Sequence, residues 1–192
     1  MHPAAPGTDI NGSSHAARVL VGGVGLPWMR DLDFGPQFIR RYEHEEWPAG
    51  VVIEDLSYAA HRVLHTLQEV GADKVILVGA HPRNDTPGTV RRYPLDRTPP
   101  DDEEVVDRLG EAVGGIIDLD HTLAVVNYWQ GFPEDTVVIE VEPADRTFGL
   151  GFSDVVEAVV GRVLELVHEE ITTARLRGAE PPETKCAPEV AS

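Results

Sequence analysis

Residues 19–35 read V-L-V-G-G-V-G-L-P-W-M-R-D-L-D-F-G. An apolar run breaks into a glycine turn, and two aspartates follow. This is how a buried strand ends and lifts carboxylates to the carboxyl edge of a sheet, where open α/β folds build their sites. Working outward, strands are predicted at 18–25, 51–54, 74–80, 88–93 and 136–141, and helices at 34–43, 57–70, 101–113, 121–129 and 153–171. Run 74–80 is apolar almost throughout, as expected of a strand covered on both faces. From Ala80 to Gly88 the gap is too short for a crossover helix, which takes about a dozen residues, so strand 88–93 is expected at an edge, antiparallel. In the last helix Ser153 stands as N-cap, with Val155, Val156, Val159, Val163, Leu166 and Val167 on the buried stripe. The pattern implies a three-layer α/β/α domain with a mostly parallel sheet of about five strands.

Composition sets further limits. A chain of 192 residues is most simply one domain, placed at 17–174 between polar, proline-bearing tails at 1–16 and 175–192. The net charge of −17 argues against nucleic acid and anionic membrane surfaces as partners. Cys186 stands alone in the chain, which rules out an internal disulfide or a thiolate cluster and fits a reducing cytoplasm. No signal peptide and no membrane-spanning run is read.

Each candidate site residue has a structural alternative. Gly22, Gly23 and Gly25 suggest a dinucleotide turn, but Trp28 falls where the third glycine belongs and no phosphate-binding lysine motif accompanies it. Nucleotide or small-molecule binding is therefore a minor alternative. Asp31 and Asp33 read either as ligands or as caps of the following helix, and Asp55 either as a site residue or as a lead-in to the next helix. His121, in D-L-D-H-T-L, sits in an acidic setting. His61 and His65 share a helix face at chelating spacing but lack the glutamate of a zinc protease and read as surface histidines.

Four elements in order resemble the hydrogenase maturation protease family. Its G-x-G-N-x-x-x-x-D-[DE]-x-x-G opening corresponds to Gly23–Gly35, its V-x-x-x-D-G-G-T element is weakened around Asp55, P-G-T-V is intact at Pro87–Val90, and its E-P segment with the following G-L-G-L-S corresponds to Glu140–Pro143 and Gly149–Ser153. The resemblance implies a factor that removes the C-terminal extension of a nickel–iron hydrogenase large subunit after nickel insertion, or a catalytically inactive relative that binds that subunit as a chaperone. It implies no cofactor of its own, the nickel being carried by the substrate and marking the cleavage site, and a large-subunit precursor as partner. Of the three side chains the family aims at nickel, the histidine maps to His121, while the carboxylate positions map to Leu32 and Gly79. Asp31, Asp33 and His81 flank those two positions and are the substitute donors, giving a candidate metal set of His121, Asp31, Asp33 and His81. Asp55, Gly23 and Gly25 are the expected substrate-binding residues, and no catalytic residue is assigned.

Overall fold

The computed structural model describes residues 18–179. The tail expected at 1–16, and residues 180–192 of the other, lie outside the described residues. In chain order the elements are β1 (Val19–Gly23), a 3₁₀ turn (Arg30–Asp33), α1 (Phe34–Tyr42), β2 (Val51–Asp55), α2 (Ala60–Val70), β3 (Lys74–Ala80), β4 (Val90–Pro94), α3 (Asp102–Val113), α4 (Leu119–Tyr128), β5 (Asp135–Val141), α5 (Asp154–Glu157) and α6 (Val160–Ala179). They build a five-stranded sheet in the order β2-β1-β3-β5-β4. All neighbours are parallel except β4 and β5, which run antiparallel with Arg91 opposite Glu140.

Strand alternation sorts the core into two layers. Val19 and Val21 of β1, Ile76 and Val78 of β3, and Val137 and Ile139 of β5 face α1 and α6, meeting Phe34, Phe38, Val163 and Val167. The intervening Leu20, Val75, Leu77 and Val138 face α2 and α4, meeting Val63, Leu67, Leu119 and Val125. At the foot of β3 the buried Lys74 ammonium lies 2.7 Å from Asp135 and 2.8 Å from Glu170, so its charge is compensated where water cannot reach it.

The last predicted helix is divided. A tight turn at Ala158–Val159, in which the Val159 amide donates to the Val156 carbonyl, separates α5 from α6. In consequence Val155, expected on the buried stripe, is exposed beside Gly88. Beyond its expected end at 171 the helix continues to Ala179, through residues 175–179 that the sequence assigned to the tail.

Two glycines let α1 cross the end of β1 at backbone contact. A methyl on Gly23 would meet the Gly35 carbonyl, and one on Gly35 would meet the backbones of Val24 and Val78. Because these obstacles are main chain in a close-packed layer, they cannot swing aside. Gly35→Ala is expected to lower the unfolding free energy by about 3 kcal/mol, measured by urea denaturation; a loss within the scatter of surface substitutions would mean that the crossing relaxes freely.

Candidate functional site

The order β2-β1-β3 reverses direction between β1 and β3, so the crevice of this sheet opens at their carboxyl ends. The candidate polar side chains fall into four groups: Asp31, Asp33 with Asp55, His81 and His121.

Asp31 is fully buried. Its carboxylate accepts the backbone amides of Ala144, Asp145 and Ser153 at 2.9, 2.8 and 2.7 Å, and the Ser153 hydroxyl at 2.8 Å. It therefore ties the turn after β1 to the loop after β5. Ser153, predicted as a helix cap, makes no side-chain cap bond and donates to Asp31 instead.

Asp33 occupies the N-cap position of α1, again with no side-chain cap bond. Its Oδ2 lies 3.1 Å from Arg40, while its buried Oδ1 has no hydrogen-bond partner. Burial pushes its pKa up, with Arg40 and the Trp28 amide pulling the other way and nearby Asp55 adding to the rise. Asp55, ending β2, accepts the Ser57 amide at 2.9 Å, and the Ser57 hydroxyl accepts the Gly25 amide at 3.1 Å.

His81 follows β3 directly. Its Nε2 lies 3.2 Å from Asp120 and its Nδ1 3.8 Å from Asp118. Around it runs an ion network absent from the sequence reading. Arg83 reaches Asp120 at 2.7 and 3.0 Å and Glu140 at 3.1 and 3.2 Å. Glu140, almost fully buried, also faces Arg91 at 3.3 Å and accepts the Tyr93 hydroxyl at 2.8 Å. Glu142 accepts the amides of Arg83 and Asn84. Burial works against the Arg83 charge, but Glu140 and Asp120 outweigh it and the guanidinium pKa is raised; burial and Glu140 together hold the Tyr93 phenol well above its usual range. The available signal was E-V-E-P itself, carboxylates at period two at the end of an apolar strand.

His121 is buried between α3 and α4, its Nδ1 3.0 Å from the Arg108 carbonyl oxygen. Burial lowers its pKa, a shift only partly offset by that carbonyl and by Asp118. None of its hydrogen bonds reaches Asp31 or Asp33.

The four candidate donors thus occupy separate settings: Asp31 among loop amides, Asp33 under the 3₁₀ turn, His81 among carboxylates, His121 against α3. Among the described residues no group of three or more His, Cys, Asp or Glu is arranged to hold a metal ion. At Gly79 a side chain would start 2.8 Å from the Val24 carbonyl oxygen and 3.3 Å from Leu119. The crevice between β1 and β3 is thus filled at that point by backbone and by a buried leucine, and a donor set for nickel does not fit there. His61 and His65 are exposed on α2.

The arrangement defines a doubly wound α/β fold with one antiparallel edge strand and a closed carboxyl-edge crevice. No family model matches the chain, and no curated protein matches it. Solved structures do. An endopeptidase from Escherichia coli is similar at a TM-score of 0.61 with 22% identity, over 82% of this chain and 93% of that one. The hydrogenase maturating endopeptidase HybD from E. coli gives 0.62 and 23% over the same shares. The [NiFe] hydrogenase maturation protease HycI from Thermococcus kodakarensis gives 0.60 and 20%, over 83% and 95%. The chain has the fold of the hydrogenase maturation proteases.

Two outcomes follow from these geometries. Asp31→Ala removes the acceptor of three backbone amides and is expected to cost about 3–5 kcal/mol of stability, against about 1.5–3 kcal/mol for Ser153→Ala, in urea titrations; equal, negligible losses would remove the carboxylate from its structural role. For His121 the folded pKa lies below the ordinary 6.5, so its stabilising contribution is full above that pH and is lost as pH falls toward the native pKa. His121→Asn should flatten that part of the pH–stability curve, read from melting temperatures between pH 7 and 5; an unchanged slope would show that the imidazole does not titrate this way.

Proposed function

We propose that this chain is a hydrogenase maturation factor acting on the C-terminal region of a nickel–iron hydrogenase large-subunit precursor. The observation that carries the reading is the fold match, which spans about four-fifths of this chain and nearly the whole of proteins described as hydrogenase maturation proteases. No helix among the described residues is long and apolar enough to cross a membrane, and we assign the work to the cytoplasm. The precursor's C-terminal segment docks at the carboxyl edge of the sheet, beside Asp55, with the buried Gly23 and Gly25 shaping the turn beneath it. Nickel belongs to the substrate in this reading. Leu32 and Gly79 supply no donor and His121 is turned to the Arg108 carbonyl, so this chain brings no matching ligand set to that ion. His81, partly exposed and held by Asp120, is the imidazole placed to move a proton during cleavage.

A second reading, binding of the precursor without cleavage, is favoured by one observation: the Gly79 position, where the Val24 carbonyl leaves no room for a carboxylate side chain. Intact-mass measurement of nickel-loaded precursor incubated with the purified chain separates the two. Loss of the C-terminal extension, abolished by His81→Ala while binding persists, is the outcome expected of the processing factor. A stable complex of unchanged mass establishes the binding factor, and absence of both overturns the assignment to hydrogenase maturation.

A further inference from the structure

The turn Leu26–Arg30 carries a set of anomalies that the proposed processing role leaves unused. Trp28 and Arg30 both have positive φ, 69° and 43°, a conformation disfavoured for bulky side chains and found where a site over-determines the backbone. Trp28 is nevertheless more than half exposed, so burial of its indole does not explain the strain. Beneath the turn lies Asp33, whose carboxylate faces the Trp28 amide and whose buried Oδ1 has no partner. A buried unpaired oxygen requires an explanation in a folded protein, because it forfeits its hydration for nothing.

The charge count at this point is unbalanced. Asp33 and Asp55 are close enough to raise the Asp33 pKa, and the cation that hydrogen-bonds Asp33, Arg40, is itself half exposed. Alongside, residues 147–151 form the other half of the same rim. Gly149 donates to the Trp28 carbonyl at 2.7 Å, the Arg30 amide donates to the Gly149 carbonyl at 3.3 Å, and Met29 and Gly149 form a parallel bridge. That loop holds Phe148 and Leu150 out in solvent, 79% and 69% exposed. Two joined loops thus expose three large apolar side chains, Trp28, Phe148 and Leu150.

We propose that these paired loops are the docking face for an extended segment of a partner protein that presents an arginine or lysine side chain among bulky apolar ones. The apolar residues lie against Trp28, Phe148 and Leu150. The incoming cation enters at the edge of the Trp28 turn, whose bonds to Gly149 hold the two loops together, and donates to Asp33 Oδ1. The acid pair supplies the complementarity: an apolar side chain at that position gains nothing from Oδ1, and an anionic one is in addition repelled by Asp55. The inference rests on the docking reading above, with which it shares Asp55, while its test uses no hydrogenase sequence, so that failure of the one is distinguishable from failure of the other.

The test uses the full chain and acetylated, amidated pentapeptides Gly-Leu-X-Leu-Gly with X arginine, lysine, norleucine or glutamate, titrated by calorimetry and by NMR of the Trp28 indole. Arginine and lysine peptides are expected to bind at least about tenfold more tightly than norleucine, as one charge-assisted hydrogen bond implies, and glutamate more weakly still. Asp33→Asn should bring the arginine peptide to the norleucine affinity while leaving norleucine unchanged, its folding checked by circular dichroism. Phe148→Ser, at a site too exposed to disturb folding, should weaken all four peptides alike. Equal binding of arginine and norleucine peptides by the unmodified chain overturns the proposal. So does an arginine preference that survives Asp33→Asn, or absence of binding at millimolar peptide.

Discussion

Everything at the carboxyl edge of this sheet depends on the buried carboxylate of Asp31. Three amides and a hydroxyl from the segment 144–153 converge on it, fixing the long connection from β5 to α6 against the turn that leaves β1. A loop of that kind has no regular partner for its own N–H groups, and a buried anion is the strongest acceptor available to it. The start of α5 and the course of the loop that carries Phe148 and Leu150 follow from where this clasp puts the chain. Its aspartate belongs to the stretch that begins with the glycine turn, so the same residues close the sheet and tether its rim.

Charge is distributed by the same economy. The chain carries a large acidic excess, yet its buried carboxylates are not alike. Glu140 and Glu142 are matched by Arg83, Arg91 and main-chain amides, and Asp31 by amides alone. Asp33 keeps one oxygen without a partner. In a low-dielectric setting the difference between a fully and a partly satisfied carboxylate is large, which sets Asp33 apart from the carboxylates that carry structure.

Much of the architecture was legible because it follows from local pattern. The apolar run at 74–80 allowed only a doubly covered strand, and the short interval before Gly88 forbade a crossover, which sent β4 antiparallel to the edge. Less visible was anything set by meeting rather than by spacing. The Glu140–Arg83 pair joins residues far apart in the chain through the register of β3 and β5, and no periodicity encodes it. Asp31 looked like a helix cap or a ligand because its true partners are backbone amides, which every residue but proline possesses. Placing Asp31, Asp33, His81 and His121 on one ion assumed that neighbours of a motif share its cleft. The side chains of Asp31 and Asp33 instead leave the same turn toward different loops, because one packs beneath the 144–153 segment and the other beneath the Trp28 turn.

The antiparallel placement of β4 has a consequence for the protein in a crowded solution. An open sheet ends in two bare rims, and any long, flat, apolar rim invites a second molecule to add a strand. Here both outer strands are short, Val51–Asp55 and Val90–Pro94. One ends in Glu54 and Asp55, and the other carries Arg91 and Arg92 and finishes at a proline with no N–H to offer. Like rims of two copies brought together would set acid against acid on one side and meet a short strand closed by proline on the other, so the outer strands act as gatekeepers against fibril-like stacking.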